Sequence, residues 1–118
     1  MLCSVEREEQ MRRLYADFNA HDAEAVLAQM TADVDWPNAW EGGRLVGREA
    51  VREYWLRQWA EIDGKVEPTG FELRPDGSLA VSVHQVVRSL DGELLSEQNL
   101  HHVYAFRDGL VAAMTVEE

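Results

Sequence analysis

The fold of this chain is decided by residues 81–116, which read VSVHQVVRSL at 81–90, DG at 91–92, ELLSEQNLHHVYAF at 93–106, RDG at 107–109 and LVAAMTV at 110–116. Asp91-Gly92 and Asp108-Gly109 each separate two β-rich runs, and such pairs are strong signals of a two-residue hairpin turn. Both central residues of this turn need a positive φ angle, which Asp tolerates and Gly adopts freely. The stretch therefore predicts an antiparallel meander of three strands.

The two turns also predict the strand register. With Asp91-Gly92 as the first loop, the pairs are Val81 with His102, Val83 with Leu100, Gln85 with Gln98 and Val87 with Ser96. With Asp108-Gly109 as the second loop, the pairs are Thr115 with His102, Ala113 with Tyr104 and Val111 with Phe106. Because side chains alternate along a strand, one face holds Gln85, His102 and Tyr104, and the other holds His84 and His101. A single β-bulge would exchange the faces beyond it.

Both faces of this meander are partly apolar, whereas a solvated face shows clean alternation with charged residues. We therefore expect one face to pack against helices and the other against a second subunit, which predicts a homodimer. On the first face, the small Ala113 lies opposite the large Tyr104 and Phe106. This mismatch leaves room for a hollow, or for a helix side chain that fills it.

Composition excludes several classes of function. The 118 residues suffice for a single domain, and 22 acidic against 11 basic residues give a formal net charge of −11. This charge disfavours nucleic acid and anionic membranes, which both need clustered Lys and Arg. The single cysteine, Cys3, allows no disulfide within the chain and lies where fraying is expected. With neither a transmembrane run nor a signal peptide, a cytoplasmic location is predicted.

The N-terminal part predicts helices. Residues 1–20 form a helix with Ser4 as N-cap and an apolar stripe at 3–4 spacing, and Asp22 caps a shorter second helix. Residues 34–36 form a short strand that Pro37 stops, and a loop with a possible short strand runs from Trp40 to Gly47. The stripe residues are Met11, Leu14, Tyr15 and Phe18.

A long third helix is predicted from Arg48 to Asp63, ended by Gly64. Trp55 and Trp59 share its apolar stripe with Val51 and Ile62, and such tryptophans are more often core than ligand-binding. Residues 65–74 form a strand in which Pro68 marks a break or a sheet edge. Helices followed by an antiparallel sheet indicate the α+β class.

The order of these elements, with four sequence segments, resembles the nuclear transport factor 2-like superfamily, which includes ketosteroid isomerases, scytalone dehydratase and SnoaL-type polyketide cyclases. The segments are YADFNAHD at 15–22, TADVDWP at 31–37, GREAVREYW at 47–55 and HVYAFRDG at 102–109. The resemblance implies a cone-shaped, curved sheet wrapped around three helices, the cystatin-like roll. It also implies a pocket between sheet and helices, and a homodimer through the outer sheet face.

The resemblance does not carry over the catalytic residues of ketosteroid isomerases. Their catalytic aspartate, just before the proline after the first strand, corresponds to Trp36 here. Their oxyanion-hole tyrosine corresponds to Leu14, although Tyr15 is adjacent, and their protonated aspartate corresponds to His102. Steroid isomerisation by that mechanism is therefore not expected. Scytalone dehydratase is similar only in combining strand histidines with tyrosines.

His102 is the first candidate catalytic residue, because imidazole titrates near neutral pH and serves as acid or base. Tyr104 is the second. Ligand-binding candidates are Gln85, Tyr15, Trp36, Trp55 and His84. The structural alternative is that His102 is a core histidine hydrogen-bonded to Thr115 or Gln85. His84 is expected on the outer face, and a bulge would bring it into the pocket.

Metal and cofactor sites are not predicted. The strand histidines are divided between the two faces and no acid joins them at ligand spacing. No serine or cysteine nucleophile motif and no glycine-rich phosphate loop is found.

Two classes of function remain. The first is an acid–base lyase, isomerase or cyclase that acts on a small apolar ring compound, with His102 moving a proton and Tyr104 or Gln85 hydrogen-bonding the developing oxyanion. The second is a non-catalytic dimer that binds a small molecule or a protein, with its pocket filled by tryptophans.

Overall fold

The computed structural model describes residues 4–38 and 42–117, with side chains from Glu6 onward. The expectations for Cys3 and for the first residues of the loop at Trp40 therefore lie outside the described residues. The helices are α1 (Ser4–Asn19), α2 (Ala23–Leu27) and α3 (Arg48–Glu61). The strands are β1 (Met30–Pro37), β2 (Arg44–Val46), β3 (Ile62–Leu73), β4 (Leu79–Ser89), β5 (Leu94–Arg107) and β6 (Leu110–Glu117).

The helix boundaries largely follow the local sequence signals. Asp22 caps α2, as predicted, because its Oδ1 accepts a hydrogen bond from the backbone N–H of Ala25 at 3.2 Å. The predicted end of α3 is wrong. The helix ends at Glu61, because Ile62 adopts an extended conformation and pairs with Ser89 on β4. Gly64 therefore lies inside β3 rather than ending a helix.

The described strands form one sheet in the order β2-β1-β6-β5-β4-β3. All pairings are antiparallel except that between β1 and β6. β3 is an edge strand, and its register shifts between Pro68 and Gly70. The predicted edge or break at Pro68 is thus confirmed, since proline cannot supply a backbone hydrogen-bond donor.

The predicted register of the first hairpin is confirmed, although its turn differs. Val81 pairs with His102 and Gln85 with Gln98. Ser89 rather than Leu90 faces Glu93, and of the two expected turn residues Gly92 has a positive φ, of 96°. A register shift between Val87 and Arg88 compensates for the longer turn.

The second hairpin has the predicted turn but a different register beyond it. Asp108 and Gly109 have φ angles of 55° and 81°, as a two-residue turn requires. The register shifts between Ala105 and Phe106, so that Val116 lies beside His102 and Met114 beside Tyr104. The predicted neighbours Thr115 and Ala113 are therefore wrong, whereas the predicted pairing of Val111 with Phe106 is confirmed. Because Ala113 does not lie opposite Tyr104, the size mismatch predicted there does not occur.

This shift has a physical reason in the side chains of β6. It buries Met114, which is 4% exposed, and leaves Thr115 exposed on the opposite face. Burying the larger apolar side chain removes more apolar surface from water. The bulge therefore directs the more hydrophobic residues of β6 towards the core.

The inner face of the curved, unclosed sheet packs against the three helices and forms a single hydrophobic core. This arrangement confirms the predicted α+β class. None of the described helices is long and apolar enough to span a membrane.

The C-terminal end of α1 is attached to the free edge of β3 by one side chain. The Asn19 amide donates from Nδ2 to the Val66 carbonyl oxygen at 2.8 Å and accepts at Oδ1 from the Val66 N–H at 2.9 Å. These two bonds satisfy backbone groups that an edge strand would otherwise leave unpaired. They also fix the distance between α1 and the sheet, where the cavity lies.

Candidate functional site

A cavity of about 120 Å³ lies between the inner face of the sheet and helices α1 and α3. Its lining is mainly aromatic and aliphatic, and its described lining residues include no Asp, Glu, Lys or Arg. The polar side chains around it are Tyr54, Gln58, Gln85 and His102. The remaining lining residues are Phe18, Trp36, Pro37, Trp55, Trp59, Gly64, Val66, Val87, Met114 and Val116.

A second, smaller cavity of about 30 Å³ lies deeper, towards α1. It shares His102 and much of its aromatic wall with the larger cavity, and it is also lined by Leu14, Tyr15 and Tyr104. His102 is therefore the polar side chain that lines both spaces.

Tyr15, His102 and Tyr104 form a buried hydrogen-bonded chain at this position. Tyr15 Oη lies 2.9 Å from His102 Nδ1 and 2.7 Å from Tyr104 Oη. The three side chains are at most 7% exposed. Tyr15 lies on the apolar stripe of α1, and the other two lie two residues apart on β5, which directs both to the inner face. One helix and one strand thus supply the whole chain of hydrogen bonds.

Burial sets the protonation states of these groups. It lowers the pKa of His102 to about 4, because the imidazolium form would lose its hydration. Burial also raises the pKa of Tyr15 and that of Tyr104 above the ordinary value for a phenol. At physiological pH the imidazole and both phenols are therefore neutral, and the cavity carries no formal charge from its described lining.

Aromatic side chains narrow the cavity. The Trp36 and Trp55 rings meet edge to face with centroids 5.5 Å apart, and Trp55 stacks with Trp59 at 6.0 Å. Phe18 contacts both Trp55 and Trp59 at similar distances. His21 stacks on Trp59 at 4.6 Å. The tryptophans thus form the wall of the cavity without filling it.

The structure brings together most of the residues singled out from the sequence. Gln85, Trp36, Trp55 and His102 line the larger cavity. Tyr15 and Tyr104 lie behind it, and His102 is bonded to Tyr15 instead of Thr115 or Gln85.

His84 is the exception among the predicted ligand-binding residues. It lies on the outer face, where its Nε2 is 2.6 Å from Glu97 Oε2. The expected outer-face position of His84 is therefore the observed one: the register of β4 stays unchanged between Val81 and Val87, and no bulge there brings His84 into the pocket.

Three lining residues gained a role only from the structure. Tyr54 and Gln58 each come one position before a tryptophan of the predicted α3 stripe, so they lie together on one side of it, a signal that periodicity alone could have used. Gly64 became a lining residue because β3 begins earlier than expected, and it pairs with Val87 on the inner face. Gln58 adds a second amide to that of Gln85.

Metal ligation is not favoured by this geometry. Among residues 6–38 and 42–117, no group of three His, Cys, Asp or Glu side chains lies close enough to hold a metal ion.

Comparison with known proteins then assigns a family. The profile of the SnoaL-like domain matches residues 11–114, which is most of the chain. The chain belongs to the SnoaL-like domain family. The expected nuclear transport factor 2-like superfamily and its fold are therefore confirmed. No match was found among the curated proteins.

Solved structures similar to this SnoaL-like domain include three informative examples. TerC, co-crystallized with polyporic acid, is 25% identical, with a TM-score of 0.75 over 87% of this chain and 83% of that one. An NTF2-like protein of unknown function from Burkholderia pseudomallei is 20% identical, with a TM-score of 0.80 over 93% and 88%. SalBIII, an epoxide hydrolase/cyclase-like enzyme with a role in pyran ring formation in the polyether salinomycin, is 20% identical, with a TM-score of 0.82 over 99% and 93%. These similarities support the fold.

Proposed function

We propose that this SnoaL-like domain is a lyase, isomerase or cyclase that acts on a small, mainly apolar ring compound without a metal or organic cofactor. The observation that carries the proposal is the imidazole of His102, which lies at the wall of an uncharged aromatic cavity and is hydrogen-bonded to the buried phenol of Tyr15, itself bonded to Tyr104. Apolar walls with a few convergent polar groups are typical of small-molecule sites.

The size of the cavity limits the substrate. Ligand pockets usually measure roughly 300–1,000 Å³, whereas this cavity measures about 120 Å³. Engineered apolar cavities of about 150 Å³ bind benzene. A single ring is therefore the largest rigid group that enters without movement of the walls. A larger substrate requires rotation of Trp59 or Phe18.

His102 is the residue proposed to contact the reacting atoms. Its lowered pKa keeps the ring neutral at physiological pH, so one ring nitrogen donates a hydrogen bond and the other accepts one. Gln85 lies on the same inner face and supplies a second polar contact. Tyr104, proposed from the sequence as an oxyanion donor, is bonded to Tyr15 behind the imidazole and is assigned a supporting role.

The reaction classes follow from the chemistry of such a site. In an isomerisation or a cyclisation, a proton that leaves one atom of the substrate is returned to another, so no co-reactant is consumed. A hydrogen bond to a developing oxyanion in a mainly apolar cavity stabilises the transition state. The similarity to SalBIII, an epoxide hydrolase/cyclase-like enzyme, supports a cyclisation, and the similarity to TerC, co-crystallized with polyporic acid, supports a cyclic ligand.

The experiment compares wild type with two histidine variants. Mass spectrometry of molecules that co-purify with the protein identifies ligand classes, and a panel of small cyclic ketones and ring-closing precursors is then tested for turnover. His102→Gln is expected to reduce kcat about 100-fold, the range seen when a hydrogen-bond donor to a developing oxyanion is altered. His101→Gln changes the exposed neighbour on the opposite face and is the matched control. Equal turnover in wild type and His102→Gln would refute the assignment.

A non-catalytic binding domain is the second candidate function. The close packing of Phe18, Trp55 and Trp59 favours it, because it leaves less volume than an ordinary ligand site. This candidate requires that a ligand identified by mass spectrometry binds wild type and is recovered chemically unchanged after prolonged incubation. Conversion of the ligand would exclude it.

We further propose that the protein forms a homodimer through the outer sheet face and acts in the cytoplasm. Val86, Val103 and Ala105 lie on that face, among charged side chains. Light scattering is expected to give twice the monomer mass of 13.4 kDa, and Ala105→Glu, at an exposed position, is expected to give the monomer. A monomeric wild type would refute this part of the proposal.

A further inference from the structure

The order of the protons in the chain of Tyr104, Tyr15 and His102 can be determined by counting donors and acceptors. Tyr15 Oη is within hydrogen-bond distance of both other groups. Among residues 6–38 and 42–117, Tyr104 Oη has no further hydrogen-bond partner. Each phenol has one proton to donate, and a neutral imidazole has one protonated nitrogen.

Three arrangements of these protons are possible. In the first two arrangements, Nδ1 of His102 donates to Tyr15. If Tyr15 then donates to Tyr104, the proton of Tyr104 has no acceptor. If Tyr104 donates to Tyr15 instead, the proton of Tyr15 has no acceptor. In the third arrangement, Tyr104 donates to Tyr15 and Tyr15 donates to Nδ1. Only this order gives every buried phenolic proton an acceptor, and leaving a buried donor unpaired is costly.

From this order we infer that Tyr15, which accepts from Tyr104 and donates to Nδ1, fixes the tautomer of His102 so that Nε2–H is presented to the cavity as a hydrogen-bond donor for a carbonyl or ether oxygen of a neutral ligand. Tyr15 is then the positioning residue, and His102 is the residue that contacts the ligand. The inference rests on the proposed function for the identity of the ligand site, and it narrows the class of ligand.

The surroundings of His102 agree with this assignment. Nδ1 is occupied by Tyr15, and within the described part of the chain Nε2 has no hydrogen-bond partner. His102 lines the larger cavity, whose described lining residues include no carboxylate that could accept from Nε2 and no cation that could neutralise an anionic ligand. A donor in an uncharged, aromatic site selects a neutral molecule with an acceptor oxygen. The same N–H would stabilise negative charge that develops on that oxygen during a reaction.

Magnetic resonance of protein with ¹⁵N-labelled histidine tests the inference without any substrate. The protonated and unprotonated nitrogens of a neutral imidazole resonate in separate ¹⁵N regions, and their coupling patterns to the ring protons distinguish Nδ1 from Nε2. At pH 7 we expect the Nε2–H tautomer for His102. The Nδ1–H tautomer or an imidazolium would overturn the inference.

Two phenylalanine variants test the role of each phenol. In Tyr104→Phe, Tyr15 still donates to Nδ1, so the Nε2–H tautomer is expected to persist. In Tyr15→Phe, Nδ1 loses its donor, and a mixture of tautomers is expected. A change of tautomer in Tyr104→Phe would contradict the proposed proton order. If Tyr15→Phe does not fold, the tautomers measured in wild type and in Tyr104→Phe test the proposed proton order.

Two ring compounds of similar size test the ligand class. Cyclohexanone carries an acceptor oxygen and methylcyclohexane does not. Cyclohexanone is expected to shift the Nε2–H resonance of His102, and methylcyclohexane is expected to leave it unchanged. Equal shifts with the two probes, or no shift with cyclohexanone, would overturn the ligand class.

Failure of this inference is distinguishable from failure of the proposed function. An Nδ1–H tautomer combined with turnover that depends on His102 would overturn the inference but support the proposed enzymatic function. An Nε2–H tautomer that persists in Tyr104→Phe, combined with no turnover of any compound, would support the inference and favour the non-catalytic binding domain over the enzyme.

Discussion

Tyr15 on α1 and His102 on β5 lie 87 positions apart in the chain, and a hydrogen bond of 2.9 Å joins Oη of the first to Nδ1 of the second. This bond links the first helix to the fifth strand inside the core, next to the cavity. Because both groups are buried and neutral, the bond contributes to stability and also orients the imidazole. Variants at these positions are therefore expected to change folding and site properties together.

Removal of the Tyr15 hydroxyl should lower the free energy of unfolding more than removal of the Tyr104 hydroxyl. Tyr15→Phe leaves the Tyr104 hydroxyl and His102 Nδ1 without a partner, and each buried unsatisfied group costs about 1–3 kcal/mol. We expect a loss of about 3 kcal/mol in the free energy of unfolding. Tyr104→Phe removes one bond and leaves no donor unpaired, so about 1 kcal/mol is expected. Urea unfolding measures both values, and equal losses would contradict the order of protons inferred above.

His102 should make the stability depend on pH. Its folded pKa of about 4 lies below the unfolded value of about 6.5. The unfolded state therefore binds the proton more tightly, and stability is constant above pH ~6.5 and falls as the pH drops towards 4. The loss is expected to reach about 3 kcal/mol below pH 4.

The control for this pH effect is His102→Gln, which has no titrating ring at the same position. The difference in unfolding free energy between wild type and this variant isolates the contribution of His102 from those of the other histidines and the carboxylates. A pH dependence between 6.5 and 4.5 that is identical in the two proteins would show that His102 is not buried as neutral imidazole.

Asn19 should stabilise the edge of the sheet. Asn19→Ala removes both bonds to the backbone of Val66 and leaves an N–H and a carbonyl group unpaired. A loss of about 2 kcal/mol is expected, because a net hydrogen bond contributes about 0.5–1.5 kcal/mol. Hydrogen exchange at the Val66 amide should become faster in the variant. Asn99→Ala, at an exposed position of β5, is the control and should change neither property.

The volume of the cavity should control the binding of ring compounds. Gly64 lines the cavity, and a Cβ added there meets no atom within 4 Å. Gly64→Ala is therefore expected to weaken benzene binding without destabilising the fold. Trp59→Phe enlarges the cavity and should strengthen binding of larger rings. Titrations followed by NMR measure both effects, and unchanged affinities would show that ligands bind elsewhere.

The first hairpin illustrates how far sequence reasoning reached. Its register was predicted correctly because the apolar pattern of β4 and the position of the turn agree on which residues face inward. The turn is one residue longer than predicted, because Ser89 rather than Leu90 lies opposite Glu93. A register shift between Val87 and Arg88 compensates for the extra residue, so the pairs from Leu79 to Val87 are still the predicted ones. The positions of His102, Tyr104 and Gln85 on the inner face were therefore predictable.

β6 illustrates where sequence reasoning ended. The run LVAAMTV has apolar residues at both odd and even positions, so alternation alone does not decide which set faces the core. The bulge at Ala112 depends on the burial of Met114 in the hydrophobic core, which is a property of the assembled core. The end of α3 is likewise not predictable from local sequence signals. It depends on the pairing of Ile62 with Ser89 on β4, which competes with continuation of the helix.

The sequence by itself determined the α+β class, the order of the elements, the turn at Asp108-Gly109 and the face on which His102 lies, because each depends on local periodicity and turn chemistry. Only the tertiary structure decided that Tyr15 is the partner of His102, that Tyr104 lies behind it, and how much space the aromatic side chains leave. Those features depend on distances between residues far apart in the chain, and local patterns carry no information about such distances.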